Sequence, residues 1–143
     1  MAEENEKFVQ EIQESILGGL SENLRKEVLI PHNIGKLGSP DSYVSVTGVC
    51  GDTIEMYINV TDGRISDIKF MTGGCGYTIA CSSYVTRTAR GKTIEEASRI
   101  KPEDVDEYFD GLPEENKHCA KLSVMTLQAV IENYRSECEE SRQ

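Results

Sequence analysis

The stretch Thr53-Ile54-Glu55-Met56-Tyr57-Ile58-Asn59-Val60-Thr61, followed by Asp62-Gly63 and then Arg64-Ile65-Ser66-Asp67-Ile68-Lys69-Phe70-Met71-Thr72, decides the fold. Its first part alternates. Ile54, Met56, Ile58 and Val60 fall on one face and Glu55, Tyr57 and Asn59 on the other, the period of a half-buried strand. Asp-Gly is a strong hairpin signal, because both central positions of the favoured two-residue turn need a positive φ. The chain then returns as a further strand with Ile68 and Phe70 facing inward. Upstream, Ser42 to Val49 is rich in β-branched residues and reads as another strand. Three strands joined by short connections form an antiparallel meander.

Helical signals flank this sheet. Tyr77 to Arg90 reads as a helix with Gly91 as a C-cap. Thr93 and Glu96 make a capping-box pattern for a short helix through Ile100. Pro102 opens another short, acidic helix that ends near Gly111-Leu112-Pro113. The last helix runs from Lys117 to about Glu137, with Leu127, Val130, Ile131 and Tyr134 as its buried stripe. At the other end, Phe8, Ile12, Ile16 and Leu20 recur every fourth residue, so an amphipathic helix is expected up to Gly18-Gly19. Ser21 caps a second helical piece toward Ile30, which Pro31 stops. The organisation expected is a helical arm over 1–30, one α+β domain over 31–138 and a polar tail over 139–143. Within the domain, the three-stranded meander packs against helices, the last of them long.

The chain of 143 residues is 38% hydrophobic, which suits one globular domain. With 25 acidic against 15 basic residues its formal net charge is −10. Nucleic acid needs a basic face and is excluded as a partner; a cation or a basic protein surface fits better. There is no apolar run long enough to span a membrane, and the polar, acidic start is not a signal peptide. A cytoplasmic location follows as the expectation. The cysteines are Cys50, Cys75, Cys81, Cys119 and Cys138. An odd count without a signal peptide argues against a disulfide framework, and the absence of Cys-x-x-Cys argues against a zinc ribbon or a thioredoxin-type site.

The informative cysteines sit where the chain bends. Cys50-Gly51-Asp52 lies between the first two strands, and Gly73-Gly74-Cys75-Gly76 follows the third. In an antiparallel meander both emerge at one end of the sheet. His118-Cys119 opens the last helix. Three thiols with either Asp52 or His118 give four donors, enough for an iron–sulfur cluster or for zinc. The glycines beside Cys50 and Cys75 let backbone N–H groups approach a negatively charged cluster. The start of a helix is expected to lower the Cys119 pKa and favour a nucleophilic thiolate able to accept sulfur. A carboxylate is a hard, poorly matched ligand for an iron–sulfur core, so Asp52 suggests a cluster meant to be released. Cys81 and Cys138 read as small buried hydrophobes, and His32 as a surface residue.

The strings V-C-G-D-T-I-E-M-Y-I, D-G-R-I-S-D-I-K-F-M-T-G-G-C-G-Y-T-I-A-C-S-S, G-K-T-I-E-E-A and K-H-C-A resemble the iron–sulfur cluster assembly scaffolds of the NifU N-terminal, IscU-like family. The resemblance runs from about Pro31 to Tyr134. It implies a compact α+β fold and a carrier rather than an enzyme: a [2Fe-2S] cluster is built on the protein and passed to apo iron–sulfur proteins. By the same resemblance, Cys50, Cys75 and Cys119 are the cluster thiolates, and Asp52 and His118 alternate at the fourth position. Cys119 is the persulfide acceptor, supplied by a cysteine desulfurase, and Lys117 influences metal binding. In related proteins such N-terminal arms promote homodimers, and Phe8, Ile12 and Ile16 offer an apolar face for one. The chain departs from the family at Leu112-Pro113-Glu114-Glu115-Asn116-Lys117, where bacterial members carry Leu-Pro-Pro-Val-Lys, a chaperone site, and at Cys81, where serine is usual. The competing reading is a zinc-bound structural or regulatory protein using the same donors, and zinc is also a metal that an empty scaffold site picks up on isolation. Sulfur transfer through Cys119 is read as a step within scaffold function.

Overall fold

Alternation in the central strand buries one complete face. Ile54, Met56 and Ile58 have no solvent-exposed surface, and neither do Ile65, Ile68 and Phe70 on the strand that follows. The computed structural model describes residues 20–141, and side chains as far as 139. Phe8, Ile12 and Ile16 of the expected arm helix lie outside the described residues. Within them run α1 (Glu22–Leu29), β1 (Ser42–Thr47), β2 (Thr53–Thr61), β3 (Arg64–Thr72), α2 (Gly76–Ala89), α3 (Ile94–Ser98), α4 (Pro102–Tyr108), a 3-10 turn (Glu114–Asn116) and α5 (Lys117–Ser141). The sheet has the order β1-β2-β3, antiparallel throughout.

The turn chemistry holds. Asp62 and Gly63 both have positive φ, 53° and 75°, and join the paired residues Thr61 and Arg64. Val60 is only half-buried although the alternation puts it inward. The β2–β3 register slips at a bulge between Asn59 and Val60, and a bulge re-aims the side chains beyond it. Tyr57, on the outer face, is nevertheless buried against Tyr43, its partner in β1, with ring centroids 4.9 Å apart. β1 ends at Thr47, two residues short of Val49, because the chain has already begun to turn. The Gly48 N–H donates to the Asp52 carbonyl at 2.9 Å, and the Gly51 N–H to the Gly48 carbonyl at 3.0 Å.

α2 and α5 cover the buried face of the sheet, with Val85, Leu127 and Ile131 filling the space between. α3 carries the expected capping box, with the Glu96 N–H donating to Thr93 Oγ1 and the Thr93 N–H to Glu96, both at 3.1 Å. It stops at Ser98 rather than Ile100, while α5 continues past Glu137 to Ser141. α1 is capped by Ser21, whose Oγ accepts from the Leu24 N–H at 3.2 Å. It packs on α2 through a buried carboxylate: Glu27, 4% exposed, accepts from the Ser83 hydroxyl at 2.5 Å and from the Arg87 guanidinium. Arg87 lies over the rings of Tyr84 and Tyr108, which stack on each other with centroids 4.1 Å apart.

Candidate functional site

Three connections converge at the end of the sheet away from the Asp62-Gly63 hairpin. The register explains two of them. Thr47 pairs with Thr53 and Ile54 with Thr72, so the Cys50 turn and the Cys75 loop leave the sheet side by side. Thr72 ties them together, its hydroxyl donating to the Thr53 carbonyl at 2.7 Å and accepting from the Gly74 N–H at 3.1 Å. The third connection is the start of α5, pressed against the first turn. A Cβ on Gly48 would stand 3.1 Å from a Leu122 methyl, so the absence of a side chain lets the helix approach this closely. Cys75 is the N-cap residue of α2, and His118 and Cys119 fall in the first turn of α5.

The side chains meet at Thr78, a fully buried residue one turn into α2. Its hydroxyl lies 3.0 Å from Asp52 Oδ2, 3.4 Å from Cys119 Sγ and 3.7 Å from Cys75 Sγ. His118 Nε2 lies 3.6 Å from Cys119 Sγ. A Cβ on Gly74 would come within 3.0 Å of Asp52 Oδ2 and of the Thr78 Cβ and methyl, so glycine is what allows the loop, the carboxylate and the helix to pack together. Three of the five candidate residues, Asp52, Cys75 and Cys119, are therefore gathered around one hydroxyl, and His118 reaches the cluster through Cys119. Cys50 stands on the exposed turn, near enough for its charge to bear on Cys119.

The thiols are not alike. Cys119 has no exposed surface, and burial pushes its pKa up. The Thr78 hydroxyl opposes this, while the charge and hydrogen bond of Cys75 and the charge of Cys50 add to it. The direction for Cys119 is thus opposite to the acidification expected from the start of the last helix, and burial is its first cause. Cys75 is the acidified thiol. Burial works to raise it, but donation from the Thr78 backbone and hydroxyl, the Tyr77 N–H and Cys119 together carry it below the ordinary value. Those N–H groups are the unpaired donors of a helix start.

Cys81 is fully buried in α2, and burial first, then the charges of Cys119, Cys75 and Asp106, raises its pKa well above the ordinary thiol value. Cys138 is near the far end of α5 beside Tyr134. His32 is exposed, its backbone N–H donating to Ser83 Oγ at 2.7 Å. Lys117 pairs with Glu114 at 3.2 Å on the surface. Among the described residues, no group of three or more His, Cys, Asp and Glu side chains stands ready to hold a metal ion. The donors are soft thiols with one carboxylate and one imidazole, a set matched to iron–sulfur or zinc chemistry. Sequence reasoning missed Thr78. Its spacing of three from Cys75 puts both on one face of a helix start, and that was the available signal.

The sequence matches the NifU-like N terminal domain family over residues 22–141. It is 46% identical over 105 residues to a protein of Archaeoglobus fulgidus named iron-sulfur cluster assembly scaffold protein IscU 1, covering 73% of this chain and 69% of the relative. It is 40% identical over 111 residues to the iron-sulfur cluster assembly scaffold protein IscU of Haemophilus influenzae, covering 74% and 87%. The fold is similar to that of a crystallised NifU-like N-terminal protein from Brucella abortus, with a TM-score of 0.69 at 19% identity over 81% of this chain and 94% of that one.

Proposed function

This chain belongs to the NifU-like N-terminal domain family, and on that premise we propose that it is a scaffold on which a [2Fe-2S] cluster is assembled and from which it is passed to apo-proteins. It works as a carrier rather than a catalyst; the cluster is its cargo. The observation that supports this reading most directly is the convergence of Asp52, Cys75 and Cys119, from three separate connections, on the Thr78 hydroxyl, with His118 beside Cys119. Cys50, Cys75 and Cys119 hold the iron as thiolates, and Asp52 or His118 completes the shell. The carboxylate is the mismatched ligand and the one that leaves first. Cys50 and Cys75 are exposed, so the open side of the site faces the donors and recipients of cargo.

Sulfur arrives from a cysteine desulfurase. Cys119 is the acceptor implied by the family, but here it is buried and its proton is held more tightly than usual. Cys75, exposed and acidified, is the thiol that can meet an incoming persulfide, and delivery to Cys119 requires the start of α5 to open. Anaerobic reconstitution with iron and sulfide tests the reading. Sulfur-to-iron charge-transfer absorption is expected to develop and then to appear on an added apo-ferredoxin. Protein that binds no iron under those conditions would refute it.

A further inference from the structure

The hub of the site is not itself a ligand. Thr78 has a single hydroxyl proton and three acceptors within reach: Asp52 Oδ2 at 3.0 Å, Cys119 Sγ at 3.4 Å and Cys75 Sγ at 3.7 Å. An ionised carboxylate is the strongest acceptor of the three, and the shortest contact goes to it. Thr78 has no exposed surface, so water does not compete for that proton. The crowding at Gly74 leaves Asp52 and Thr78 in close packing, since a methyl there would strike both.

Asp52 Oδ2 therefore has two claimants, the cargo iron and the Thr78 hydroxyl. We propose that Thr78 is the positioning residue of this site, and that its hydroxyl receives the Asp52 carboxylate whenever Asp52 lets go of the cargo. This rests on the scaffold reading above and adds what that reading lacks, a place for the labile ligand to go. A half-buried carboxylate left without a donor is costly, so a docking hydroxyl makes the detached state more populated. With Asp52 docked, one coordination position opens to a recipient thiol. When Asp52 turns to iron, the hydroxyl proton is free to swing to sulfur, so the same residue serves both states.

The test compares Thr78→Val, which keeps the shape and removes the hydroxyl, with Thr78→Ser, which keeps the hydroxyl. In metal-free protein the carbon-13 carboxyl resonance of Asp52 is expected to move in Thr78→Val and to keep its wild-type position in Thr78→Ser. In protein loaded anaerobically with iron and sulfide, Thr78→Val is expected to release its cluster to apo-ferredoxin about ten- to a hundredfold more slowly, the scale of one hydrogen bond to a charged group, and Thr78→Ser at the wild-type rate. In an Asp52→Ala background, Thr78→Val is expected to have no further effect. An unmoved Asp52 resonance, or equal release by Thr78→Val and wild type, overturns the proposal while leaving the scaffold reading intact. Wild-type protein that takes up no iron and sulfide overturns the scaffold reading and the release claim together.

Discussion

Cys75 and Cys119 carry the same functional group in different surroundings, and their reactivity should separate accordingly. The thiolate is the reactive form, so a lowered pKa means more reactive sulfur at a given pH. In metal-free, reduced protein near neutral pH, iodoacetamide is expected to label Cys75 ahead of Cys119, with Cys81 last. The rate–pH curve of Cys75 should lie below that of an ordinary thiol and that of Cys119 above it, following their opposite shifts. Site-resolved mass spectrometry reads this order, and Cys119 labelling first would contradict it. At this scale the sequence was only partly legible. Cys50, Asp52, Cys75, His118 and Cys119 stood out because glycines and a helix start marked them. The rise at Cys119 did not, because it depends on how deeply neighbouring elements bury the first turn of α5, and no local pattern encodes that.

Among the elements, the strands were the most readable, since β2 and β3 follow directly from two-residue alternation and an Asp-Gly turn. The exceptions have local causes: a bulge at Asn59/Val60 half-exposes Val60, and the early turn at Gly48 shortens β1. The attachment of α1 was not readable, because Glu27 is far in the chain from Ser83 and Arg87, which share one turn of α2, and each looks like an ordinary surface residue. Glu27 is instead buried, and it satisfies both partners. Removing Glu27 takes the acceptor from the buried Ser83 hydroxyl and the ion partner from Arg87, which keeps the Tyr108 hydroxyl. Glu27→Ala is expected to lower unfolding stability by about 2–3 kcal/mol, with Glu27→Gln losing less because it keeps an acceptor for Ser83. Urea unfolding of both variants measures this; a loss under about 0.5 kcal/mol in Glu27→Ala, the size of an ordinary surface change, would show that the cluster does not anchor α1.

For the whole molecule, topology does what local spacing does not. Cys50, Cys75 and Cys119 lie too far apart in sequence for any compact metal motif, yet an antiparallel meander and one returning helix bring their connections to a common end. Among the described residues no helix is long and apolar enough to cross a membrane. The net charge of −10 suits partners with basic faces, whose encounter with this chain salt should slow. Whether the shared end of the fold holds an iron–sulfur cargo is read most directly from the iron and acid-labile sulfide content of protein isolated without exposure to air. The expected result is iron and sulfide in equal amounts in the wild type, and loss of both in Cys75→Ser and Cys119→Ser. Wild-type protein that holds neither element, even after both are supplied anaerobically, would contradict the account.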